Sequence, residues 1–387
     1  MTRNILSDAA VVGIGRTPFV RKSGRTPLAM ASEAARDALR DCGLAPGDVD
    51  GFTCYGTGDS ASPMRVAHAI GIDDLGWCTS VMGGGNVVAS VVAGAAAAVV
   101  TGQADVVVVY RVLGSDTRYG KAMDRVLAPG EGQFAAPHGY LVPPQWFAMW
   151  CRRHQHVYGS TAEDLGAIAI QQRAHASSNP HAVARTPITL DDYLAGRWIN
   201  EPFRVFDLCY EVDGAVALVV TSADRAADLA HRPVYPVGVA DANGQGGSVY
   251  EWDDMSCMYS RDAAPRLWAK TGLQPSDMDV ALMYDCYTYT VMATMEDYGF
   301  CEKGEGGAFV ASGALGRDGS LPTNTGGGEL SAYYMWGMTP LSEGVIQTRG
   351  QGMGRQVDRH DLVLVSGNGG TLEHHGTLIL GTHPKGS

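Results

Sequence analysis

Short apolar runs alternate with amphipathic segments along much of the chain. Residues 105–112, DVVVVYRV, form a continuous apolar run of the kind that is buried on both faces of a sheet, which predicts a strand. Residues 27–42 have apolar positions at helical spacing and are followed by Gly43, a residue type that commonly ends helices. Alternation of such strands and helices predicts an α/β architecture.

The same pattern predicts the remaining elements. Further strands are predicted at residues 9–14, 48–55, 213–222, 234–240, 280–284, 361–366 and 377–380. Further helices are predicted at residues 143–157, 162–175, 262–271, 291–298 and 341–349. A glycine turn at residues 82–86 leads into the apolar segment 87–100, which suits a buried helix and is shorter than the ~20 residues needed to cross a bilayer.

Two short segments of the chain are similar to each other in sequence. Residues 43–50, GLAPGDVD, resemble residues 272–279, GLQPSDMD, and each copy follows a predicted helix and precedes an apolar strand. This similarity predicts two similar α/β halves, at residues 1–232 and 233–387. The irregular segment within the first half, about residues 113–205, is predicted to be a covering loop region.

Composition and charge narrow the possible functions. The formal net charge is −12 and no run of Lys or Arg occurs, which argues against nucleic-acid binding because phosphate contacts need basic clusters. An anionic ligand would need local groups or positive charge from a partner. The eight cysteines show neither CxxC nor zinc-ligand spacing, and the first ten residues lack the apolar segment of a signal peptide. These features predict reduced thiols in the cytoplasm, with no metal site and no membrane association.

Several motifs occur together in a specific order: VVGIGRTPF, GGGN, DVVVVY, RRHQHVYGSTAEDL, SSNPHA, DGAVALVV, YDCYTY, NTGGG and VSGNGG. In this order and spacing they resemble the thiolase superfamily, closest to the branch named for lipid-transfer and sterol-carrier-protein-type thiolases. The resemblance covers almost the whole chain. It implies a five-layered αβαβα fold built from two similar halves, and a homodimer.

The chain departs from thiolases at the residues that carry their chemistry. The nucleophilic cysteine of the first-half glycine turn corresponds here to Gly85, which cannot be acylated. Two family histidines correspond to Tyr284 and Tyr334, and the C-terminal acid/base cysteine corresponds to Ser366. This pattern resembles the steroid side-chain retro-aldolases of the superfamily, which use tyrosines to cleave a β-hydroxyacyl-CoA and work with a small OB-fold acyl-CoA-binding protein or domain.

The resemblance implies a carbon–carbon lyase. Such an enzyme would convert a 17-hydroxy steroid with a three-carbon acyl-CoA side chain into a 17-keto steroid and propionyl-CoA. The CoA thioester would be the substrate, and no bound cofactor is implied.

Tyr284 and Tyr334 are the candidate acid/base pair, with the division of roles left open. A phenol titrates near pH ~10, so a tyrosine that acts as a base at neutral pH needs a lowered pKa or must relay a proton without ionising fully. Gly85 is expected to leave room for a branched substrate and to bring backbone donors near it. The candidates for substrate binding or oxyanion stabilisation are Gly85, Asp285, Ser366, Gly327 and His138.

Two other functions are compatible with the loss of the thiolase cysteine. The first is a catalytically inert acyl-CoA or lipid-binding subunit, which is disfavoured because tyrosines at former histidine positions offer proton chemistry. The second is a thiolase with a relocated cysteine such as Cys286. A purely structural interpretation also exists, in which Tyr284 is a core ring and Tyr334, or its neighbour Tyr333, belongs to an aromatic cluster.

Overall fold

The computed structural model describes residues 4–114, 132–140, 142–244, 252–369 and 374–384. Its strands are β1 (Ala9–Arg16), β2 (Gly51–Gly56), β3 (Trp77–Met82), β4 (Val106–Leu113), β5 (Trp198–Asn200), β6 (Phe203–Arg204), β7 (Gly214–Ser222), β8 (Tyr235–Asn243), β9 (Val280–Met283), β10 (Leu362–Ser366) and β11 (His374–Gly381). Its helices are α1 (Pro27–Cys42), α2 (Pro63–Ala69), α3 (Val88–Val100), α4 (Gly132–Ala135), α5 (Pro143–Tyr158), α6 (Ala162–Ser177), α7 (Leu190–Leu194), α8 (Ala223–Ala226), α9 (Ser260–Thr271), α10 (Thr288–Asp297), α11 (Gly306–Ala311) and α12 (Met338–Thr348).

Two larger sheets share the order and directions of four strands, and the first sheet has β3 as an additional edge strand. The first sheet runs β1-β7-β4-β2-β3, with β7 antiparallel to both β1 and β4, and β2 parallel to β4. The second sheet runs β8-β11-β10-β9, with β11 antiparallel to both β8 and β10, and β9 parallel to β10. The match confirms two similar α/β halves. The boundary between residues 232 and 233 stays a prediction.

Helices and sheets stack in five layers. Helix α1 covers the outer face of the first sheet, and α9 covers the outer face of the second. Between the sheets lie α3 and α12, each of which contacts strands of both sheets. The close fit of α1 depends on small residues, because a Cβ placed at Gly15 would lie 2.1 Å from the backbone oxygen of Ala34. The layered α/β arrangement agrees with the fold expected from the sequence.

The covering region packs where the second half is most irregular. Helix α6 contacts the π-helical turn Gly328–Ala332, and the amides of Val183 and Ala184 donate to the carbonyls of Ala332 and Ser331. The remaining part of the predicted loop region, at residues 115–131 and 141, lies outside the described residues. The described part of this region therefore supports the turn that precedes Tyr334.

Most predicted elements occur within a few residues of their expected bounds, and β3 is the main strand that was missed. Its residues Cys78, Ser80 and Met82 are exposed, and it pairs only with β2 among the described strands, so it forms one edge of the first sheet. A strand with this mixed composition lacks the apolar run by which the central strands were recognised.

Three further observations concern the class of protein. Among the described residues, no helix combines the length and the apolar character that a membrane span needs. All eight cysteines are unpaired. No cluster of three or more potential metal ligands occurs in the described ranges.

Candidate active site

Tyr284 and Tyr334 meet between the two halves. Tyr284 directly follows β9, and Tyr334 follows the π-helical turn Gly328–Ala332. Their hydroxyl oxygens are 3.1 Å apart, within hydrogen-bond distance, and the two rings lie edge to face with centroids 6.5 Å apart. The exposed fractions of Tyr284 and Tyr334 are 1% and 2%. The structure thus brings together the two phenols that the sequence proposed as partners.

Two glycines hold the ring of Tyr284 from opposite edges. A Cβ placed at Gly85 would lie 2.0 Å from Cε2 of Tyr284, and one at Gly369 would lie 2.9 Å from its hydroxyl oxygen. The expectation of open space beside Gly85 is therefore wrong, because the phenol ring of Tyr284 fills that space. Glycine at position 85 is a steric requirement of Tyr284.

The Gly85 turn begins the buried helix α3. Residues Gly85–Val87 form a 3-10 turn that continues into α3, and the side-chain oxygen of Asn86 accepts a hydrogen bond from the amide of Gly84 at 2.9 Å. The amino end of a helix carries partial positive charge. Negative charge that develops beside Gly85 is therefore favoured.

Asp285 organises the turn before Tyr334. Its two carboxylate oxygens accept hydrogen bonds from the amides of Glu329 and Leu330, at 2.8 and 3.0 Å. Gly328, with φ of +60°, allows this contact, because a Cβ there would lie 2.1 Å from the carboxylate. Both oxygens of Asp285 are thus engaged by backbone amides, which supports a positioning role for Asp285 in this turn.

Glu329 is a site residue that sequence reasoning missed. It is fully buried, and its Oε1 accepts a hydrogen bond from the amide of Gly337 at 2.7 Å. Burial raises the pKa of Glu329 well above its ordinary value, and the nearby charge of Asp285 raises it further. Burial also raises the pKa of Asp285, although its two backbone donors favour the ionised form. We infer that the pair holds one proton, on Glu329.

The turn after Tyr334 is held by several buried groups. Trp336 adopts a left-handed φ of +52°, and its carbonyl accepts a hydrogen bond from the hydroxyl of Tyr55. The guanidinium of Arg111 lies 4.6 Å from the ring centroid of Trp336 and forms an ion pair with Asp59. These contacts come from the first half, so both halves fix the position of Tyr334.

The turn after β10 supplies two buried polar side chains. The carbonyl of Ser366 accepts a hydrogen bond from the amide of Tyr284 at 3.2 Å, while its hydroxyl has no hydrogen-bond partner among the described residues. In Asn368, Oδ1 accepts from the amide of Gly369 at 2.8 Å, and Nδ2 lacks a partner within the same ranges. Ser366 thus lies beside Tyr284.

Comparison with known proteins identifies the family. A family model described as "Thiolase C-terminal domain-like" matches residues 243–382. A "17-hydroxy-3-oxo-4-pregnene-20-carboxyl-CoA lyase" of Mycobacterium tuberculosis is 41% identical over 94% of this chain and 97% of its own length. A "Steroid side-chain-cleaving aldolase" of Thermomonospora curvata is 39% identical over 93% of this chain and 95% of its own length. The chain belongs to the steroid side-chain-cleaving aldolases of the thiolase-like family.

Solved structures agree with this family. The structure of an "Ltp2-ChsH2(DUF35) aldolase" superposes with a TM-score of 0.89 at 39% identity and covers 97% of this chain and 98% of its own. Human mitochondrial 3-ketoacyl-CoA thiolase superposes with a TM-score of 0.69 at 15% identity, covering 97% of this chain and 99% of its own, which shows a shared fold alone.

Two other predicted site residues of this aldolase lie differently. Gly327, with φ of +99°, packs against Ala176, and its amide donates to the carbonyl of Asn324 at 2.8 Å. That amide is engaged within the turn, so the predicted oxyanion role of Gly327 is not supported. His138 is exposed at the end of a short 3-10 turn, and among the described residues no hydrogen bond joins it to either tyrosine.

Cys286 does not suit the role of a relocated nucleophile. It is buried, and burial raises the pKa of its thiol well above the ordinary value, with the charge of Asp285 acting in the same direction. The reactive form of a cysteine is the thiolate. The environment therefore holds Cys286 in its inert form and disfavours the thiolase alternative.

Proposed function

We propose that the chain is a retro-aldol lyase that cleaves the side chain of a 17-hydroxy steroid carrying a three-carbon acyl-CoA group. The products are a 17-keto steroid and propionyl-CoA. The observation that carries the proposal is the pair of buried phenols, Tyr284 and Tyr334, whose oxygens lie 3.1 Å apart beside a glycine turn that has lost its nucleophile. The names of the lyase of Mycobacterium tuberculosis and the aldolase of Thermomonospora curvata support the steroid acyl-CoA substrate.

The tyrosine pair suits the two proton transfers of this reaction. One phenol oxygen accepts the proton of the 17-hydroxyl while the carbon–carbon bond breaks and its electron pair moves into the thioester as an enolate. As it accepts that proton, the first phenol passes its own proton to the second phenol, which protonates the α-carbon and gives propionyl-CoA, so that the proton lost from oxygen is regained at carbon. At 3.1 Å the two hydroxyls can pass a proton directly, which avoids full ionisation of a phenol with an ordinary pKa near ~10.

Several features support assembly with other chains in the cytoplasm. The Ltp2-ChsH2(DUF35) aldolase, by its name, contains a second component, which agrees with a small OB-fold acyl-CoA-binding partner for this chain. A net charge of −12 without a basic run agrees with a partner that binds much of the CoA tail. The exposed edge of β3 offers a surface for a homodimer, and the unpaired cysteines agree with a reducing compartment.

The direct test uses the complex of this chain with an OB-fold partner and a 17-hydroxy steroid acyl-CoA. We expect equal amounts of 17-ketone and propionyl-CoA from the native chain. In Tyr284→Phe and Tyr334→Phe, loss of the proton-transferring hydroxyl should lower kcat by roughly 10²–10⁴-fold.

Tyr289→Phe is the matched control, because Tyr289 is equally buried and its hydroxyl donates to the carbonyl of Met255 at 3.3 Å instead. Its kcat should stay within a few-fold of the native value. Product formation by neither the native chain nor any variant, in an intact complex that binds acyl-CoA, would support the inert binding subunit instead. Near-native turnover in both catalytic variants would exclude the tyrosine mechanism.

A further inference from the structure

The turn after β10 presents a buried hydrogen-bond donor that no group of the described residues uses. Asn368 is 3% exposed, and its Nδ2 has no partner within those ranges. The orientation of the Asn368 side chain is fixed by its oxygen, because Oδ1 accepts a hydrogen bond from the backbone amide of Gly369. A buried donor without an acceptor lowers stability, so such groups usually serve a ligand, an ordered water or a reaction.

The position of this donor connects it to the proton chemistry. The next residue, Gly369, lies against the hydroxyl end of the Tyr284 side chain. Ser366, two residues before Asn368, accepts a hydrogen bond from the amide of Tyr284 through its carbonyl oxygen. The same turn therefore contacts the Tyr284 residue through both its backbone and its ring. The hydroxyl of Ser366 is a second buried donor without a partner in the described ranges.

We propose that Nδ2 of Asn368 donates a hydrogen bond to the thioester oxygen of the substrate as that oxygen becomes an enolate. The inference rests on the proposed lyase function and adds a catalytic residue to it. In the retro-aldol step the 17-oxygen loses a proton and needs an acceptor, whereas the thioester oxygen gains negative charge and needs donors. An amide nitrogen donates and has no proton to lose at neutral pH, so it suits the thioester oxygen and leaves proton transfer to the phenols.

The test separates enolate stabilisation from carbon–carbon cleavage. The intact complex is incubated with propionyl-CoA in D₂O, and exchange of its α-hydrogens is followed by mass spectrometry beside steroid cleavage. In Asn368→Ala and in the isosteric Asn368→Asp, we expect exchange and kcat to fall by roughly 10²–10³-fold, as for loss of one oxyanion donor. KM should change little, and Asn368→Asp should be at least as impaired as Asn368→Ala because a carboxylate repels the enolate.

The control is a substitution that removes another buried polar atom without a hydrogen-bond partner among the described residues, in a different part of the chain. Thr294 in α10 is fully buried, and its hydroxyl also lacks a partner in the described part of the chain, so Thr294→Val should keep native exchange and cleavage. Native activity of the Asn368 variants would overturn the inference while leaving the lyase function intact. If Asn368→Asp restored the activity lost in Asn368→Ala, the role of Asn368 would be packing, which also overturns the inference. Absence of both exchange and cleavage in the native complex would overturn the proposed function and this inference together.

Discussion

At the scale of single residues, Gly85 and Tyr284 form one steric unit. The missing side chain at position 85 and the ring at position 284 occupy the same space, since a Cβ at Gly85 would lie 2.0 Å from the ring of Tyr284. The absence of a side chain at position 85 and the presence of a tyrosine ring at position 284 are therefore sterically linked. A cysteine at position 85 would collide with the tyrosine ring as it lies in this structure.

This linkage predicts the effect of Gly85→Ala. The added methyl group displaces the ring of Tyr284, which should lower the free energy of unfolding by about 1–3 kcal/mol and kcat at least tenfold. In a Tyr284→Ala background the same substitution should cost much less stability, because the clashing ring is absent. Thermal unfolding of the four proteins in this cycle measures the coupling.

Gly94→Ala serves as the matched control. Gly94 lies within the same helix, α3, and a Cβ there would meet no atom within 4 Å. Alanine is the better helix former by up to about 1 kcal/mol, so this variant should be as stable as the native chain or more so, with native turnover. Additive effects of Gly85→Ala and Tyr284→Ala would contradict the shared-space interpretation.

At the scale of elements, the glycine-rich turn before Tyr334 depends on two buried carboxyl groups. Asp285 binds the start of the turn through two backbone amides, and Glu329 binds the amide of Gly337 beyond it. Glu329→Gln keeps an acceptor for that amide and should retain the fold and most of the activity. Glu329→Ala leaves the amide of Gly337 buried without an acceptor, which should destabilise the chain by about 1–3 kcal/mol.

The raised pKa of Glu329 predicts a dependence of stability on pH. Because the folded chain holds its proton above the ordinary carboxyl pKa of 4.5, the unfolded chain binds fewer protons between that pH and the higher folded pKa. The contribution of Glu329 is therefore fully present below pH 4.5 and declines as the pH rises towards the folded pKa. Glu329→Gln cannot ionise, so its melting temperature relative to the native chain should increase from about pH 5 to about pH 8. A constant difference would contradict a neutral Glu329.

The sequence predicted the central elements and the tyrosine pair more readily than the groups that support them. Strand β4 was recognisable because a run of buried valines has few alternative environments, and Tyr284 and Tyr334 were found through family positions. The sequence did not identify Glu329 as a site residue, because one glutamate among glycines has the local pattern of an exposed turn. The groups that interact with its carboxyl, on Asp285, Met335, Gly337 and Thr339, come from other parts of the fold, which no local pattern encodes.

At the scale of the whole molecule, β3 is the surface that we expect to join two copies. The amides of Trp77 and Gly83 donate hydrogen bonds to backbone carbonyls at the two ends of β2. Because successive amides of a strand point to opposite sides, the amide of Ser80 points away from the sheet. Ser80→Pro removes that outward donor and should convert a dimer into monomers, whereas Ser80→Thr keeps the donor and should remain dimeric. Light scattering coupled to size-exclusion chromatography measures both masses. Dimeric Ser80→Pro would exclude pairing through this edge.

The repeated strand order of the two sheets also bears on how such a chemistry can arise. Both phenols, the carboxyl pair and the donors after β10 all lie between residues 284 and 369, in the second half. Opposite them, the first half contributes the side-chain-free turn at Gly85. One half thus supplies both phenols and the other supplies the glycine that makes room for the ring of Tyr284, so the geometry of the pair depends on how the two halves fit together.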